Sequence, residues 1–318
     1  MKLVRQTAPA LFAALLSVAA IAAPDGYSIN SDSGSTVADS LFRIDLATGQ
    51  ETLVGKVLSL STVRRDTEGL AFAPDGRLWG VDDDSLTLFP IDVATGVVAH
   101  TAEVALKGFP SGGGNDFGLS FTCTGDLYAT SVVTRTLYRI APDGTATPVG
   151  AEGALGAPIG SLAAYGEPPR LYGLGNGESA GSGAVRALFR IDARNGTATK
   201  VGDLGGSVGE YTESGLSFDS TGQLWAITDR RIVNGQDLGL PSEVLKIDQA
   251  TGRATVVGTT KEVGFEGLAV APPAGCSRAV KDGAEYAPIP TLGAFGGPLT
   301  ALLVLAMGLA ALHRRSHP

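Results

Sequence analysis

The sequence predicts an all-β fold, a β-propeller of five blades closed by its N- and C-terminal strands. Three observations point there. A repeat of about 50 residues recurs five times, glycine falls in short turns between alternating apolar residues, and the repeat is out of phase with the chain ends. Gly supplies 44 of the 318 residues, about 14% and roughly twice the usual share, and Pro another 17. So many turn formers argue against long helices or coiled coils. Apolar residues at 44% and charged residues at 18% suffice for a sizeable core and argue against disorder.

The repeat has two halves. One reads apolar-aromatic-x-Ile-Asp, two residues, Thr-Gly, then Thr-x-Val-Gly. It stands as LFRIDLATGQETLVG (41–55), LFPIDVATGVVAH (88–100), LYRIAPDGTATPVG (137–150), LFRIDARNGTATKVG (188–202) and VLKIDQATGRATVVG (244–258). The other reads Gly-Leu-x-Phe, a turn, Gly-x-Leu-aromatic. It stands as GLAFAPDGRLW (69–79), GLSFTCTGDLY (118–128), SLAAYGEPPRLY (161–172), GLSFDSTGQLW (215–225) and a truncated GLAVAPPAG (267–275). Successive copies of this second half are 49, 43, 54 and 52 residues apart. Each half predicts a hairpin, since Asp-Gly, Asn-Gly and Thr-Gly between alternating apolar residues are turn signals. Two hairpins make a four-stranded meander, and such sheets set radially make a propeller. The repeated Asp45, Asp92, Asp192 and Asp248 read as turn caps.

The chain opens on one half-repeat and ends on the other. Pairing 27–55 with 266–271 completes one blade, and the others are 68–104, 117–150, 160–202 and 214–258. The repeat resembles the NHL, YVTN-type and PQQ-type propeller repeats and lacks the Trp-Asp ending of WD-repeats. Ser217 to Trp225 is similar to the Asp-box hairpin of sialidase-like propellers, which caps a turn on the outer part of a blade and is not catalytic.

The two ends read as addresses. Lys2 and Arg5, an apolar run from Leu11 to Ile21 and the Ala20-Ile21-Ala22 site predict a signal peptide over 1–22. Cleavage is expected after Ala22 rather than Ala23, because Pro24 would follow the latter cut. The propeller is assigned to 23–274 and a linker to 275–288. At the far end Pro298 to Leu312 is uncharged and apolar, and extending it back to Leu292 gives a hydrophobic helix of about twenty-one residues, near the length of a span. His313-Arg314-Arg315 then sets the C-terminus in the cytoplasm. Ile289-Pro290-Thr291-Leu292, the Phe295-Gly296 pair, the apolar segment and Arg314 and Arg315 together resemble the IPTL-CTERM sorting domain, a cousin of the PEP-CTERM signals of Gram-negative bacteria. The family usually has Trp where this chain has Phe295. The resemblance covers 289–318 and implies recognition by an exosortase-like membrane enzyme, passage through the inner membrane by the C-terminal segment, and a periplasmic or cell-surface destination.

Charge and histidine limit the chemistry. The net charge is −8, and losing Lys2, Arg5, Arg314 and Arg315 with no acid takes the exported part to −12. That argues against a nucleic-acid partner, since nothing neutralises phosphates. His100 is the one His between the two ends, reads as a surface residue, and has no Gly-x-Ser-x-Gly elbow to serve. Gly112-Gly113-Gly114 lacks the Lys-Ser/Thr of a phosphate loop and reads as an inter-blade loop.

Carboxylates gather where the innermost strands begin: Asp66 and Glu68, Asp116, Glu213, Glu266. Glu68, Asp116, Glu213 and Glu266 are the candidate metal ligands, because like charges crowded at a channel mouth favour a hard cation such as Ca²⁺. Glu68 and Glu266 stand one residue before the repeat Gly, Asp116 and Glu213 two before, so regular strands would not aim all four inward. The Glu-Gly-Leu starts resemble those of calcium-dependent propeller hydrolases of the lactonase and phytase-like groups. Asp82-Asp83-Asp84 follows the second strand of its blade and reads as a solvated loop run, with calcium ligation as its alternative. Cys123 and Cys276, the only cysteines, both follow an innermost strand on one face, and export permits a disulfide if the Pro-rich exit segment crosses that face.

Two functions are open at this stage. The first is an exported binding or structural module for a glycan, matrix or protein ligand, with contacts at the mouth loops and at the insertions Gly175–Arg186 and Arg230–Pro241. The alternative is a Ca²⁺-dependent hydrolase of the lactonase, phytase or esterase kind using the channel carboxylates. No catalytic residue is identified.

Overall fold

The computed structural model describes residues 23–31, 33–110, 115–177, 185–233 and 236–276. The signal segment with Ala22, the Gly112–Gly114 loop, most of the linker and the whole sorting segment with Ile289 to Leu292, Gly296, Arg314 and Arg315 lie outside the described residues, and Ala23 opens them. No helix among the described residues is long and apolar enough to cross a membrane.

Blade I holds β1 (Asp25–Ile29), β2 (Ser40–Asp45) and β3 (Glu51–Lys56), followed by a small hairpin of β4 (Leu58–Ser59) and β5 (Thr62–Val63). Blade II is β6 (Thr67–Phe72), β7 (Leu78–Asp82), β8 (Thr87–Ile91) and β9 (Val104–Ala105). Blade III is β10 (Phe117–Phe121), β11 (Leu127–Ser131), β12 (Thr136–Ile140) and β13 (Ala146–Pro148). Blade IV is β14 (Ile159–Tyr165), β15 (Arg170–Gly175), β16 (Ala187–Ile191) and β17 (Ala198–Asp203). Blade V is β18 (Ser214–Phe218), β19 (Leu224–Val233), β20 (Gln236–Ile247) and β21 (Ala254–Thr259). Strands within each blade are consecutive and antiparallel.

The ring closes as the repeat phase requires. Tyr27 and Ala269 exchange both backbone hydrogen bonds, at 2.7 and 2.9 Å, and Glu266 N–H donates to Ile29 C=O at 3.1 Å. The segment 266–269 is thus the innermost strand of blade I. The insertion at 230–241 is not a loop: β19 and β20 pair across it as one long hairpin.

Apolar side chains pack between neighbouring blades, so the core is five inter-blade clusters. Leu174 and Leu188 of blade IV meet Leu216, Leu224 and Leu245 of blade V. The closing contact sets Phe42 and Ile44 of blade I against Trp225, Val244, Phe265 and Leu268.

The repeated Thr-Gly turn does two jobs. Gly96 has φ +78°, and a Cβ there would stand 2.7 Å from Gly55 C=O of the blade before. Equivalent turn glycines meet the preceding blade all round the ring, and Gly49 of blade I meets Thr259 of blade V. The turn Asp residues act as caps: the Oδ1 atoms of Asp45, Asp92, Asp192 and Asp248 each accept a backbone N–H two residues on, at 2.7–2.9 Å.

Candidate metal centre

The innermost strands run in one sense, so their starts share one mouth of the channel and their ends the other. Close approach of these strands explains the Gly of the Gly-Leu motif: a Cβ on Gly118 would fall 2.5 Å from the backbone of Ser161 in the next blade, and one on Gly215 2.2 Å from that of Leu268.

Carboxylates converge at the mouth where the strands start. One oxygen from each of Glu68, Asp116 and Glu213 lies within 4.8 Å of the others, and one from each of Asp66, Glu68 and Asp83 does the same. Glu68 belongs to both groups. The sequence offset between Glu68 and its counterparts is absorbed by a bulge: Thr67 pairs with Asp82 and Gly69 with Val81, leaving Glu68 as the extra residue. Asp66 just before it takes a left-handed backbone at φ 55°. Asp116 and Glu213 stand immediately ahead of β10 and β18. The alternation that regular strands would impose is therefore broken at the residue concerned. Glu266 lies close enough to act electrostatically on both Glu68 and Glu213, and its Oε2 accepts from Ser31 Oγ at 2.5 Å.

Burial decides the chemistry of this mouth. Glu68, Asp116 and Glu266 are 7%, 6% and 3% exposed. Desolvation drives Glu68 well above the ordinary carboxylate range, and the negative charges of Glu266, Asp116, Asp66 and Asp83 add to it. Glu213 rises for the same two reasons, with Glu68 and Glu266 the nearest influences. Its Oε2 is sealed from solvent with no hydrogen-bond partner among the described residues. Asp116 rises to about 6 through burial, eased by hydrogen bonds from Glu213 and Asn176. Asp83 rises to about 8 through burial and then the nearby Asp66. The strongest influences on Glu68 and Glu213 are thus burial and other carboxylates, a state that a bound cation relieves.

Sequence reasoning favoured a solvated loop for Asp83 and missed Asn176. Both follow the second strand of a blade, and an antiparallel hairpin sets the end of the second strand beside the start of the first. Within the acidic run only Asp83 joins the cluster, because Asp82 Oδ1 accepts from the backbone N–H and hydroxyl of Ser85, both at 2.8 Å.

The opposite mouth is covered. Residues 271–276 leave blade I and cross beneath the inner strands, and Gly166 N–H donates to Ala274 C=O at 2.8 Å. Cys276 is bonded to Cys123, with Cα atoms 5.4 Å apart. The space left between the inner strands and 271–274 is about 20 Å³, room for a single water. The Asp-box-like hairpin sits at this mouth between β18 and β19, at the inner edge of its blade rather than the outer. Asp219 Oδ1 accepts from the Thr221 and Gln223 backbones and the Thr221 hydroxyl, and Oδ2 from Trp225 Nε1 at 2.9 Å.

His100 builds no catalytic relay. Its Nδ1 is 3.2 Å from Ser59 Oγ and 3.6 Å from Glu103 Oε2, so both partners address the same ring nitrogen. A nucleophile–base–acid relay needs one on each. The ring is half-exposed, on a 3₁₀ turn between outer strands.

No protein-family model matches the chain, and no curated protein matches it. Among solved structures it is similar to virginiamycin B lyase from Staphylococcus aureus, at 19% identity and TM-score 0.40, over 74% of this chain and 69% of that one. It is similar also to a protein of unknown function from Bacteroides caccae, at 12% identity and TM-score 0.46, over 78% of this chain and 99% of that one. A nidogen/laminin complex matches at 14% identity and TM-score 0.45, over 73% and 76%. These neighbours are β-propeller proteins. The five blades of this chain rest on its own strand pairing.

Proposed function

We propose that this chain is an exported, surface-sorted β-propeller that holds a divalent cation, Ca²⁺ by preference, at its acidic mouth and acts as a cation-dependent binding module. One observation carries the reading: one oxygen from each of Glu68, Asp116 and Glu213, two of them buried residues, lies within 4.8 Å of the others. Oxygen atoms of hard ligands, in excess over the available protons at neutral pH, are what Ca²⁺ takes. Glu266 and the Asp66–Asp83 pair supply further negative charge around them.

Export is supported by the signal-like start, and sorting by the IPTL-like tail with its apolar segment and closing arginines. An exosortase-like enzyme is the expected partner there, and the inner membrane holds the segment at least transiently. The binding reading puts a glycan, matrix or protein ligand at the acidic mouth. The hydrolase alternative would use the same cation to polarise a substrate. It needs a general base beside the ion, a part that His100, out on its blade, cannot play.

The test is a thermal melt of the purified protein with Ca²⁺ and with EDTA, together with metal analysis. Ca²⁺ at a hundred times its dissociation constant stabilises by about 2.7 kcal/mol. A clear rise in Tm that Glu68→Gln abolishes is expected. No copurifying metal and a melt indifferent to both additives would overturn the reading.

A further inference from the structure

We infer that Asn176 is the ligand that blade IV contributes, so that all five blades place one side-chain oxygen at the mouth and the site takes Ca²⁺ over Mg²⁺. This deepens the cation reading above and rests on it.

Blades I, II, III and V contribute Glu266, Glu68, Asp116 and Glu213. Blade IV begins Ile159-Gly160-Ser161 and has no acid there. Its register shifts between Ile159 and Ser161, leaving Gly160 as an extra residue. A Cβ on Gly160 would fall 1.9 Å from Asn176 Oδ1 and 3.1 Å from Nδ2. Gly160 therefore clears the space that the Asn176 amide fills. The amide arrives from the end of β15 on a fixed backbone: Asn176 N–H donates to Pro158 C=O at 2.8 Å, and its C=O accepts from Val185 N–H at 2.9 Å.

Asn176 is fully buried, at 0% exposure. Its Nδ2 donates to Asp116 Oδ2, so the amide reaches the carboxylate cluster, while Oδ1 has no hydrogen-bond partner among the described residues. A buried amide oxygen without a donor is an unmet acceptor. The two ends of an amide are related by a half-turn about the Cβ–Cγ bond. That turn exchanges the N–H···Asp116 contact for a carbonyl facing the same point, which is the arrangement a cation between Asn176 and Asp116 requires.

Number and charge favour the ion. Four carboxylates already outweigh a divalent cation, and a neutral amide raises the oxygen count to five without adding charge. Ca²⁺ takes six to eight oxygens in a flexible geometry. Mg²⁺ demands a near-ideal octahedron, which five ligands fixed radially round a channel do not form.

The experiment is calorimetric titration of the purified protein with Ca²⁺ and with Mg²⁺, for wild type, Asn176→Ala, Asn176→Asp and Gly160→Ala, with circular dichroism of each as the folding control. Wild type is expected to bind Ca²⁺ more tightly than Mg²⁺. Asn176→Ala should weaken Ca²⁺ at least tenfold and narrow the preference over Mg²⁺. Gly160→Ala, which keeps the amide and displaces it, should weaken Ca²⁺ likewise. Asn176→Asp, which restores an oxygen at nearly the same shape, should stay within a few fold of wild type and stands as the test if the alanine variants fail to fold. Wild type that binds no Ca²⁺ overturns the cation reading and this inference with it. Wild type that binds Ca²⁺ while Asn176→Ala and Gly160→Ala bind it equally well overturns this inference alone, as does a loss on Asn176→Asp as deep as that on Asn176→Ala.

Discussion

The two mouths of the channel are made by the same five inner strands and handle acidic residues in opposite ways. At the covered mouth the turns after β6, β10 and β18 carry Asp75, Asp126 and Asp219, and each has its pKa held below the ordinary value. Partners do this: Arg77 beside Asp75, Arg139 and Thr124 on Asp126, and Thr221, Gln223 and Trp225 on Asp219, where they outweigh the opposing effect of partial burial. At the other mouth Glu68, Asp83, Asp116 and Glu213 are all pushed up, burial first, with neighbouring carboxylates next for Glu68, Asp83 and Glu213 and hydrogen bonds from Glu213 and Asn176 easing Asp116. A fold that satisfies acids at one end has the means to satisfy them at the other. The contrast marks the acidic mouth as the end shaped by something other than folding stability.

The covered mouth should dominate stability. The Cys123–Cys276 bond joins residues 153 apart in sequence. Chain-entropy reasoning assigns such a loop about 5 kcal/mol. Cys276→Ser, or reductant on the native protein, is expected to lower unfolding free energy by about 4–5 kcal/mol in urea titration. A loss below about 1 kcal/mol would mean that the crossing segment is held by its backbone contact to Gly166, and the bond would then be a minor feature of the closure.

Much of this architecture was legible in the sequence, because a propeller blade is a local object. The Ile-Asp-x-x-Thr-Gly turn and the Gly-Leu strand start lie within one hairpin each, and the half-repeat phase located the closing strand at 266–271. What stayed hidden depends on neighbours. Turn glycines were legible as left-handed positions, yet their second role, letting Gly96 approach Gly55 of the adjacent blade, is a contact between distant segments. The site was half legible. The four strand-start acids pointed to the mouth where carboxylates converge, but a one-residue bulge at Glu68 is invisible to an argument from strict alternation. Asp83 and Asn176 enter from second strands, and Asn176 needs a glycine sixteen positions earlier to make its space. The 230–241 segment was legible as an insertion, but its Gly and Pro content obscured the strand pair within it.

The acidic mouth should make the cation-free protein base-sensitive. A carboxylate whose folded pKa is raised binds its proton more tightly in the folded state. Its contribution is full below the unfolded pKa near 4 and is lost as pH rises through the folded value. For Asp116 that value is about 6 and for Asp83 about 8. In EDTA, Tm should therefore fall from pH 4 to pH 8, the Asp116 share, about 3 kcal/mol in all, being lost between pH 4 and 6 and the Asp83 share continuing toward pH 8. Ca²⁺ should flatten the slope. Asp116→Asn should flatten it partly in EDTA and raise stability at pH 8, because it removes a buried charge and keeps the shape. Melts across this range with chelator that show no decline would break the contrast between the mouths.

Asp219→Asn is the matched change at the covered mouth, with the smallest expected effect and the opposite sign. The substituted amide still offers one oxygen to the Thr221 and Gln223 backbones. It then sets its NH₂ against Trp225 Nε1, where Oδ2 now accepts at 2.9 Å. Two donors face each other, or the amide flips and leaves the turn unsatisfied. Either outcome costs about 1–2 kcal/mol at neutral pH. The pH sign also reverses. A depressed carboxylate contributes above the unfolded pKa near 4, and its contribution is lost as pH falls through the lower folded value. Asp219→Asn should therefore cost stability at pH 7 and progressively less toward pH 3, with or without Ca²⁺. Asp116→Asn should gain stability at pH 8 and only without Ca²⁺. Chemical denaturation of both variants at pH 3, 5, 7 and 8 separates the two cases. If Asp219→Asn also stabilised at neutral pH, the covered mouth would be as strained as the acidic one, and the acidic cluster would lose its claim to be a binding site on electrostatic grounds.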